Sequence, residues 1–300
     1  MNKLAKGLIT FGILFILAGL FFRYKDVVYV YVDQYLSPYK YVTLGDTNPY
    51  YRNEDFLYVQ NTDNFIPKNE QDILNIYYTV INAGKDSFTF YCTEDYPECI
   101  DTIKDLANDQ NKLSDINNYV HPFNSFSHIE TEYDTLGKIT VNISRNYTPE
   151  QIKEINQKVE ALSSELLNEN DNLKNNIKRV HDYIINNTKY DSSRANGESQ
   201  YHSDIAYGPL FEGKAVCGGY TDLMQLFLEK LGVKSFRVSS EKHVWNALLY
   251  NGKWVNLDLT WDDPVVSDGS DYLEYDYFLI GTNHLLDIEK TVQFALLRRN

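Results

Sequence analysis

The segment GPLFEGKAVCGGYTDLMQLFLEKLGV (residues 208–233) contains the strongest structural signal in the chain. After Cys217, apolar residues recur at the spacing of one helix face: Leu223, Leu226, Phe227 and Leu231. Gly213 interrupts the preceding structure, and Gly232 suits the left-handed conformation that commonly ends a helix. The segment therefore predicts a helix that begins at Cys217.

A cysteine in the first turn of a helix has a distinctive chemistry. The backbone N–H groups and the helix dipole favour the thiolate there, which is the nucleophilic form. Gly218 and Gly219 follow directly, and because glycine has no side chain, a substrate carbonyl or another backbone segment can approach closely. Gly218 is thus a candidate residue of a substrate groove. The alternative interpretation of Cys217 is a small buried residue at a tight helix start.

The segment HVWNALLYNGKWVNLDLTWDDP (residues 243–264) predicts a β-hairpin. Asn251-Gly252 is a typical two-residue turn, and it pairs Tyr250 with Lys253. Counting outward from that pair gives an apolar face that is predicted to pack on a core: Val244, Leu248, Val255, Leu257 and Leu259. The opposite face is predicted to be polar and contains His243, Trp245, Asn256 and Asp258.

On the polar face, this register places His243 diagonally across from Asp258, within reach of an imidazole–carboxylate hydrogen bond. A thiolate can attack an amide carbonyl while an imidazole transfers the proton and a carboxylate orients the imidazole. Cys217, His243 and Asp258 therefore form a candidate catalytic triad. Trp245 is a candidate groove residue, while core packing is expected for the neighbouring Trp261.

These segments resemble the transglutaminase-like superfamily, which has a papain-like fold with Cys, His and Asp in this order. The matching stretches are GPLFEGKAVCGGYTDLM, HVWNALLYNGKWVNLDLTWDDP and, more weakly, IKRVHDYIINNTKYD, all within residues 170–285. The resemblance implies an α+β core in which the Cys-bearing helix packs on an antiparallel sheet. It also implies that Cys217 is the nucleophile, His243 the base and Asp258 the orienting acid.

The resemblance further implies an oxyanion hole formed by the N–H of the nucleophile and by an upstream group, for which Tyr207, Gln200 and Tyr201 are the candidates.

The better-studied animal transglutaminases depend on calcium. The sequence contains no calcium-binding loop, so neither a metal nor another cofactor is predicted. The Asp262-Asp263-Pro264 run is interpreted as the end of a strand.

The N-terminus contains an uncharged apolar segment, Leu8–Phe22, with lysines before it and Arg23 and Lys25 after it. As a helix it spans roughly 22 Å, which flanking basic side chains can extend toward the thickness of a bilayer. A cleaved signal peptide is the alternative, but small residues are poorly placed for cleavage. We therefore predict a single-pass membrane anchor at residues 1–25, with the rest of the chain outside the cell.

Of the three cysteines, Cys92 and Cys99 lie in YCTEDYPEC, and they could close a small disulfide loop. That pairing would leave Cys217 free, whereas the alternative is that all three are reduced.

Residues 71–140 predict a small α/β module with helices at 72–82 and 99–107 and strands at 87–92 and 138–144. Its His121 and His128 lack a third residue at metal-binding spacing, so no metal is predicted there.

The predicted domains are the anchor (1–25), an N-terminal α/β module of unknown role (26–150) and the catalytic domain (151–290). A net charge of −14 disfavours nucleic-acid binding. We expect a membrane-bound bacterial enzyme that acts on protein or peptide amides, such as glutamine, by transamidation, deamidation or hydrolysis. The alternatives are a catalytically silent binding or scaffold module and a cell-wall peptide amidase or cysteine peptidase.

Overall fold

The computed structural model describes residues 3–195, 197–240, 242–264 and 273–283, and the remainder of the predicted catalytic domain up to residue 290 lies outside them. The chain mixes helices and strands. The helices are α1 (Lys3–Leu36), α2 (Glu70–Asn82), α3 (Cys99–Asn108), α4 (Gln110–Asn117), α5 (Pro149–Leu166), α6 (Leu173–Asn187), α7 (Ser192–Ala195) and α8 (Cys217–Lys230). The strands are β1 (Ser87–Tyr91), β2 (Phe126–Tyr133), β3 (Lys138–Arg145), β4 (Lys189–Tyr190), β5 (Lys214–Ala215), β6 (Ser235–Ser239), β7 (Val244–Tyr250), β8 (Lys253–Leu257) and β9 (Ile280–Gly281).

Helix α1 includes the predicted anchor and continues beyond it to Leu36. Past Phe22 the same helix contains the charged residues Arg23, Lys25, Asp26 and Asp33. Within the described ranges, no helix combines the length and the apolar character that a membrane crossing requires. The prediction of a transmembrane helix is therefore not supported.

The N-terminal module is built on an antiparallel sheet in the order β1-β3-β2, covered by α2, α3 and α4. The predicted helices at 72–82 and 99–107 correspond to α2 and α3, and the predicted strands correspond to β1 and β3. Strand β2 and helix α4 were not predicted. Asn69 caps α2 by accepting the N–H of Asp72, and the buried face of α2 packs on the sheet.

Cys92 and Cys99 form a disulfide with a Cα–Cα distance of 5.7 Å, and Cys217 is the free cysteine. The bond joins the end of β1 to the first residue of α3. It closes the short loop that connects these two elements of the module.

Reduction of this disulfide is expected to lower the free energy of unfolding by about 2 kcal/mol, because the bond restricts the unfolded chain over a short loop. Urea denaturation with and without a thiol reductant measures the difference. A Cys92→Ala, Cys99→Ala variant serves as the control, since its stability should not respond to the reductant. Equal stability of the wild-type protein in both conditions would contradict the prediction.

Helices α5 and α6 both begin with side-chain caps, of which the Thr148 cap of α5 is evident in the sequence. Thr148 and Gln151 form a reciprocal capping box at the start of α5. Asn172 caps α6 through the N–H of Asn175. A non-helical connection separates the end of α5 at Leu166 from the start of α6 at Leu173. Both helices pack against α8 in a second core.

The C-terminal sheet is antiparallel, in the order β6-β7-β8-β9. One face, which includes Leu248 and Leu257, packs on α8. The other face joins the core of the N-terminal module through four buried residues: Phe236, Val238, Trp245 and Ala247. The face predicted to be polar and open is therefore covered, because the N-terminal module packs against it.

Candidate active site

Cys217 is the first residue of α8, and the extended Val216 precedes it. The thiol is half-buried, so it is sheltered by the fold but accessible from one side. Strand β5, which ends two residues before the cysteine, pairs in parallel with β4. This pairing fixes the path of the chain as it enters the helix, so Cys217 lies in the first turn of α8.

His243 and Asp258 lie just outside the paired strands, immediately before β7 and immediately after β8. The hairpin register has Tyr250 opposite Lys253 and Asn246 opposite Leu257, as the two-residue turn predicted. His243 Nε2 lies 2.5 Å from Asp258 Oδ2. The other carboxylate oxygen, Oδ1, accepts the backbone N–H groups of Thr260 at 3.1 Å and Trp261 at 3.3 Å.

The environment of His243 favours the imidazolium form. Burial lowers its pKa, but hydrogen bonds to Asp258 and to the Cys217 side chain outweigh that effect and raise the pKa to about 10. Since Nε2 is bonded to Asp258, the nitrogen available to the thiol is Nδ1. The three side chains therefore form a connected chain from sulfur through imidazole to carboxylate, which is the arrangement that nucleophilic acyl transfer requires.

Two tryptophan rings stack on the imidazole of His243. The Trp261 ring lies 4.9 Å away with an interplanar angle of 7°, and the Trp245 ring lies 5.7 Å away at 22°. Trp245 is buried, whereas Trp261 is only half-buried. The expectation of core packing for Trp261 is thus wrong, because its ring contacts the base of the candidate triad. Trp254 packs on Phe236 instead.

The other predicted groove residues have different surroundings. A Cβ atom at Gly218 would lie 2.5 Å from the backbone oxygen of Asp204, so this glycine makes room for a neighbouring backbone segment and not for a substrate. The ring of Tyr207 lies 5.2 Å from His202 and 4.6 Å from Phe211, and its hydroxyl is hydrogen-bonded to Glu154. Gln200 and Tyr201 are exposed.

One residue near the thiol was not identified from the sequence. Tyr190 in β4 pairs with Ala215 of β5. Burial raises the pKa of the Tyr190 hydroxyl, and the charge of the nearby Cys217 thiolate raises it further. The resemblance included this tyrosine in IKRVHDYIINNTKYD, but only the parallel pairing of two short strands brings it beside the cysteine.

The described residues contain no group of three or more His, Cys, Asp and Glu side chains that could hold a metal ion. His121 is buried, with Nε2 at 2.8 Å from Glu229 Oε2, whereas His128 is exposed on β2. The two histidines therefore belong to different environments.

The raised pKa of His243 predicts a stability that depends on pH. A histidine with a higher pKa in the folded state stabilises the fold fully below its unfolded value near 6.5, and this contribution is lost as the pH rises toward about 10. Wild-type protein should therefore lose more thermal stability over this interval than His243→Gln, as measured by unfolding midpoints. Parallel losses in the two proteins would contradict the raised pKa.

A family model described as the transglutaminase-like superfamily matches residues 160–259. No curated protein matches the chain. Among solved structures, a transglutaminase is similar at 16% identity and a TM-score of 0.32, over 49% of this chain and 48% of that one.

A protein from Cytophaga hutchinsonii, named for a proposed cysteine protease activity, is similar at 14% identity and a TM-score of 0.29, over 49% of this chain and 65% of that one. The chain thus spans less than two thirds of either solved protein. The family match includes Cys217, His243 and Asp258, and it agrees with the resemblance predicted from the sequence. Residues 160–259 of this chain are therefore similar to the transglutaminase-like superfamily.

Proposed function

We propose that the protein is a cysteine-dependent acyltransferase or hydrolase of protein or peptide amides. The observation that supports this function best is the chain of contacts from Cys217 at the start of α8 to His243 and on to Asp258, with His243 Nε2 at 2.5 Å from Asp258 Oδ2. The family match supports the same general chemistry.

In the proposed reaction, the Cys217 thiolate attacks the amide carbonyl, and a C–S bond forms. The tetrahedral intermediate collapses when the C–N bond breaks, and the leaving nitrogen takes a proton from the His243 imidazolium. Neutral His243 then removes a proton from the incoming amine or water, which attacks the thioester and releases the thiolate. A glutamine substrate would release ammonia in the first half of this sequence.

We further propose that the enzyme acts outside the cytoplasm, at the cell surface. The Cys92–Cys99 disulfide supports this location, because such bonds persist mainly in oxidising compartments. Mass spectrometry of the protein isolated from its own cells under thiol-blocking conditions tests the proposal. Two reduced cysteines in that sample would argue against it.

The function is tested by incubating the protein with a glutamine-bearing protein and a labelled primary amine, beside a Cys217→Ala variant, with the products followed by mass spectrometry. Amine incorporation that is lost in the variant would establish transamidation. Deamidated or cleaved product without incorporation would establish a hydrolase.

Purified cell-wall peptides form a second substrate set, which separates a wall amidase from an enzyme that acts on proteins. The reactivity of the Cys217 thiol distinguishes an enzyme from the alternative of a catalytically silent scaffold. If Cys217 in the wild-type protein reacts with iodoacetamide no faster than an ordinary exposed thiol and no substrate is turned over, the proposed function is rejected in favour of a binding role.

A further inference from the structure

The turn after β8 contains three buried aspartates, each bonded to a different element: Asp258 to His243, Asp262 to His181 in α6, and Asp263 to Tyr220 in α8. Their exposed fractions are 2%, 0% and 7%. Burial of a carboxylate lowers the stability of the fold unless the carboxylate is hydrogen-bonded. Three buried and hydrogen-bonded aspartates in one short turn therefore indicate that the turn does more than end a strand. Only Asp258 belongs to the candidate triad.

His181 is completely buried and bonded at both ring nitrogens. Its Nε2 lies 3.1 Å from Asp262 Oδ2, and its Nδ1 lies 3.0 Å from Asp182 Oδ1. The ring also stacks on Tyr275 at 5.4 Å. With a carboxylate at each nitrogen and an aromatic ring against its face, the imidazole has one orientation, and it offers Asp262 a fixed partner.

Asp262 is in turn bonded to the backbone around Asp258. Its N–H donates to the Asp258 carbonyl at 3.2 Å, and its Oδ1 accepts the N–H of Tyr277 at 2.9 Å. The Asp258 N–H donates to the Tyr277 carbonyl at 3.2 Å. Burial raises the pKa of Asp262 despite the hydrogen bonds that lower it, which agrees with a carboxyl group enclosed by the fold.

The residues on either side of Asp262 face the candidate triad. Trp261 stacks on His243 at 4.9 Å, and the edge of Tyr277 packs against Trp261 at 4.8 Å. Asp263 accepts the hydroxyl of Tyr220, which lies three residues after Cys217 in α8. The turn thus contacts both the base and the helix that presents the thiol.

We propose that His181 and Asp262 are positioning residues: their buried pair fixes the turn that holds Asp258 and Trp261 against His243. The inference rests on the proposed function wherever turnover is measured, but the reactivity of Cys217 tests it independently. A displacement of about 1 Å in such a group can lower a rate on the order of 10²-fold.

The test compares Asp262→Asn with Asp276→Asn, which makes the same chemical change at an exposed position outside the His181–Asp262 pair. Cys217 is the free cysteine, so iodoacetamide reports on this thiol alone. At about pH 6, where His243 is protonated, alkylation of Cys217 in Asp262→Asn is expected to be roughly tenfold slower than in wild type, and in Asp276→Asn within about twofold of wild type. With an amide substrate, kcat of Asp262→Asn should fall roughly 10–100-fold with little change in KM.

Circular dichroism confirms that each variant is folded. A folded Asp262→Asn with the wild-type alkylation rate, or equal slowing in both variants, would overturn the proposal. If Asp262→Asn does not fold, His181→Gln replaces it, and a wild-type rate there would overturn the proposal as well. Absence of turnover in wild type would count against the proposed function alone, because the alkylation comparison decides the positioning role without a substrate.

Discussion

Asp258→Asn is expected to lower the rate of acyl transfer by about 10³–10⁴-fold while the fold remains intact. The reason is that the two carboxylate oxygens of Asp258 have different hydrogen-bond partners. Oδ1 accepts backbone N–H groups of Thr260 and Trp261, and Oδ2 accepts from His243 Nε2. An asparagine must keep its carbonyl oxygen toward the backbone donors, so its NH₂ group would face the imidazole.

In that orientation the amide donates to His243 Nε2, and the imidazole proton moves to Nδ1. Nδ1 then points a hydrogen at Cys217 and has no lone pair with which to accept the thiol proton. The prediction is checked by steady-state kinetics on the substrate found for the wild type, together with the iodoacetamide reactivity of Cys217. Both should fall in Asp258→Asn.

The matched control is Asp276→Asn, which makes the same chemical change at an exposed site near the same turn. It should leave turnover and alkylation close to the wild-type values. An Asp258→Asn enzyme that retains more than about a tenth of wild-type activity would show that the carboxylate does not set the orientation of His243.

Removal of residues 1–148 is expected to leave residues 149–300 unable to fold stably. The deletion would expose the sheet face that contains Phe236, Val238 and Trp245, which are at most 6% exposed in the intact chain. Burial of a large apolar side chain contributes roughly 1.5–3 kcal/mol, so three of them represent about 5–9 kcal/mol, close to the stability of a whole domain.

The same deletion would leave polar groups without partners. Glu229 of α8 bonds to Arg52 and His121, and Arg237 of β6 bonds to the carbonyl of Asn117. The expected results are poor solubility, binding of a hydrophobic dye and loss of the near-UV circular dichroism signal. A variant that begins at Ser37 is the control, because the described side chains of α1 are largely exposed, and it should stay folded. A soluble, cooperatively unfolding fragment of residues 149–300 would refute the prediction.

Features that depend on neighbouring residues could be predicted from the amino-acid sequence. The helix start at Cys217, the capping box of Thr148 and Gln151, and the turn at Asn251-Gly252 follow from local backbone chemistry. Since side chains alternate along a strand, that turn also fixed which residues of β7 and β8 lie opposite each other. The proximity of His243 and Asp258 could therefore be deduced.

Contacts between residues distant in the chain could not be predicted from local patterns and are seen only in the folded protein. The N-terminal module packs over the C-terminal sheet. This packing brings together residues more than ninety positions apart, such as Tyr119 and Phe236. His181 and Asp262 are separated by 81 positions. Nothing in their local patterns distinguishes a histidine inside an amphipathic helix or an aspartate at the end of a strand from an ordinary one.

The incorrect expectation of core packing for Trp261 has the same origin. Its place against His243 depends on the contacts of its turn with α6 and α8, which no local pattern indicates. Periodicity and turn chemistry act within a few residues, whereas long-range packing is set by how complementary surfaces fit after the elements have formed.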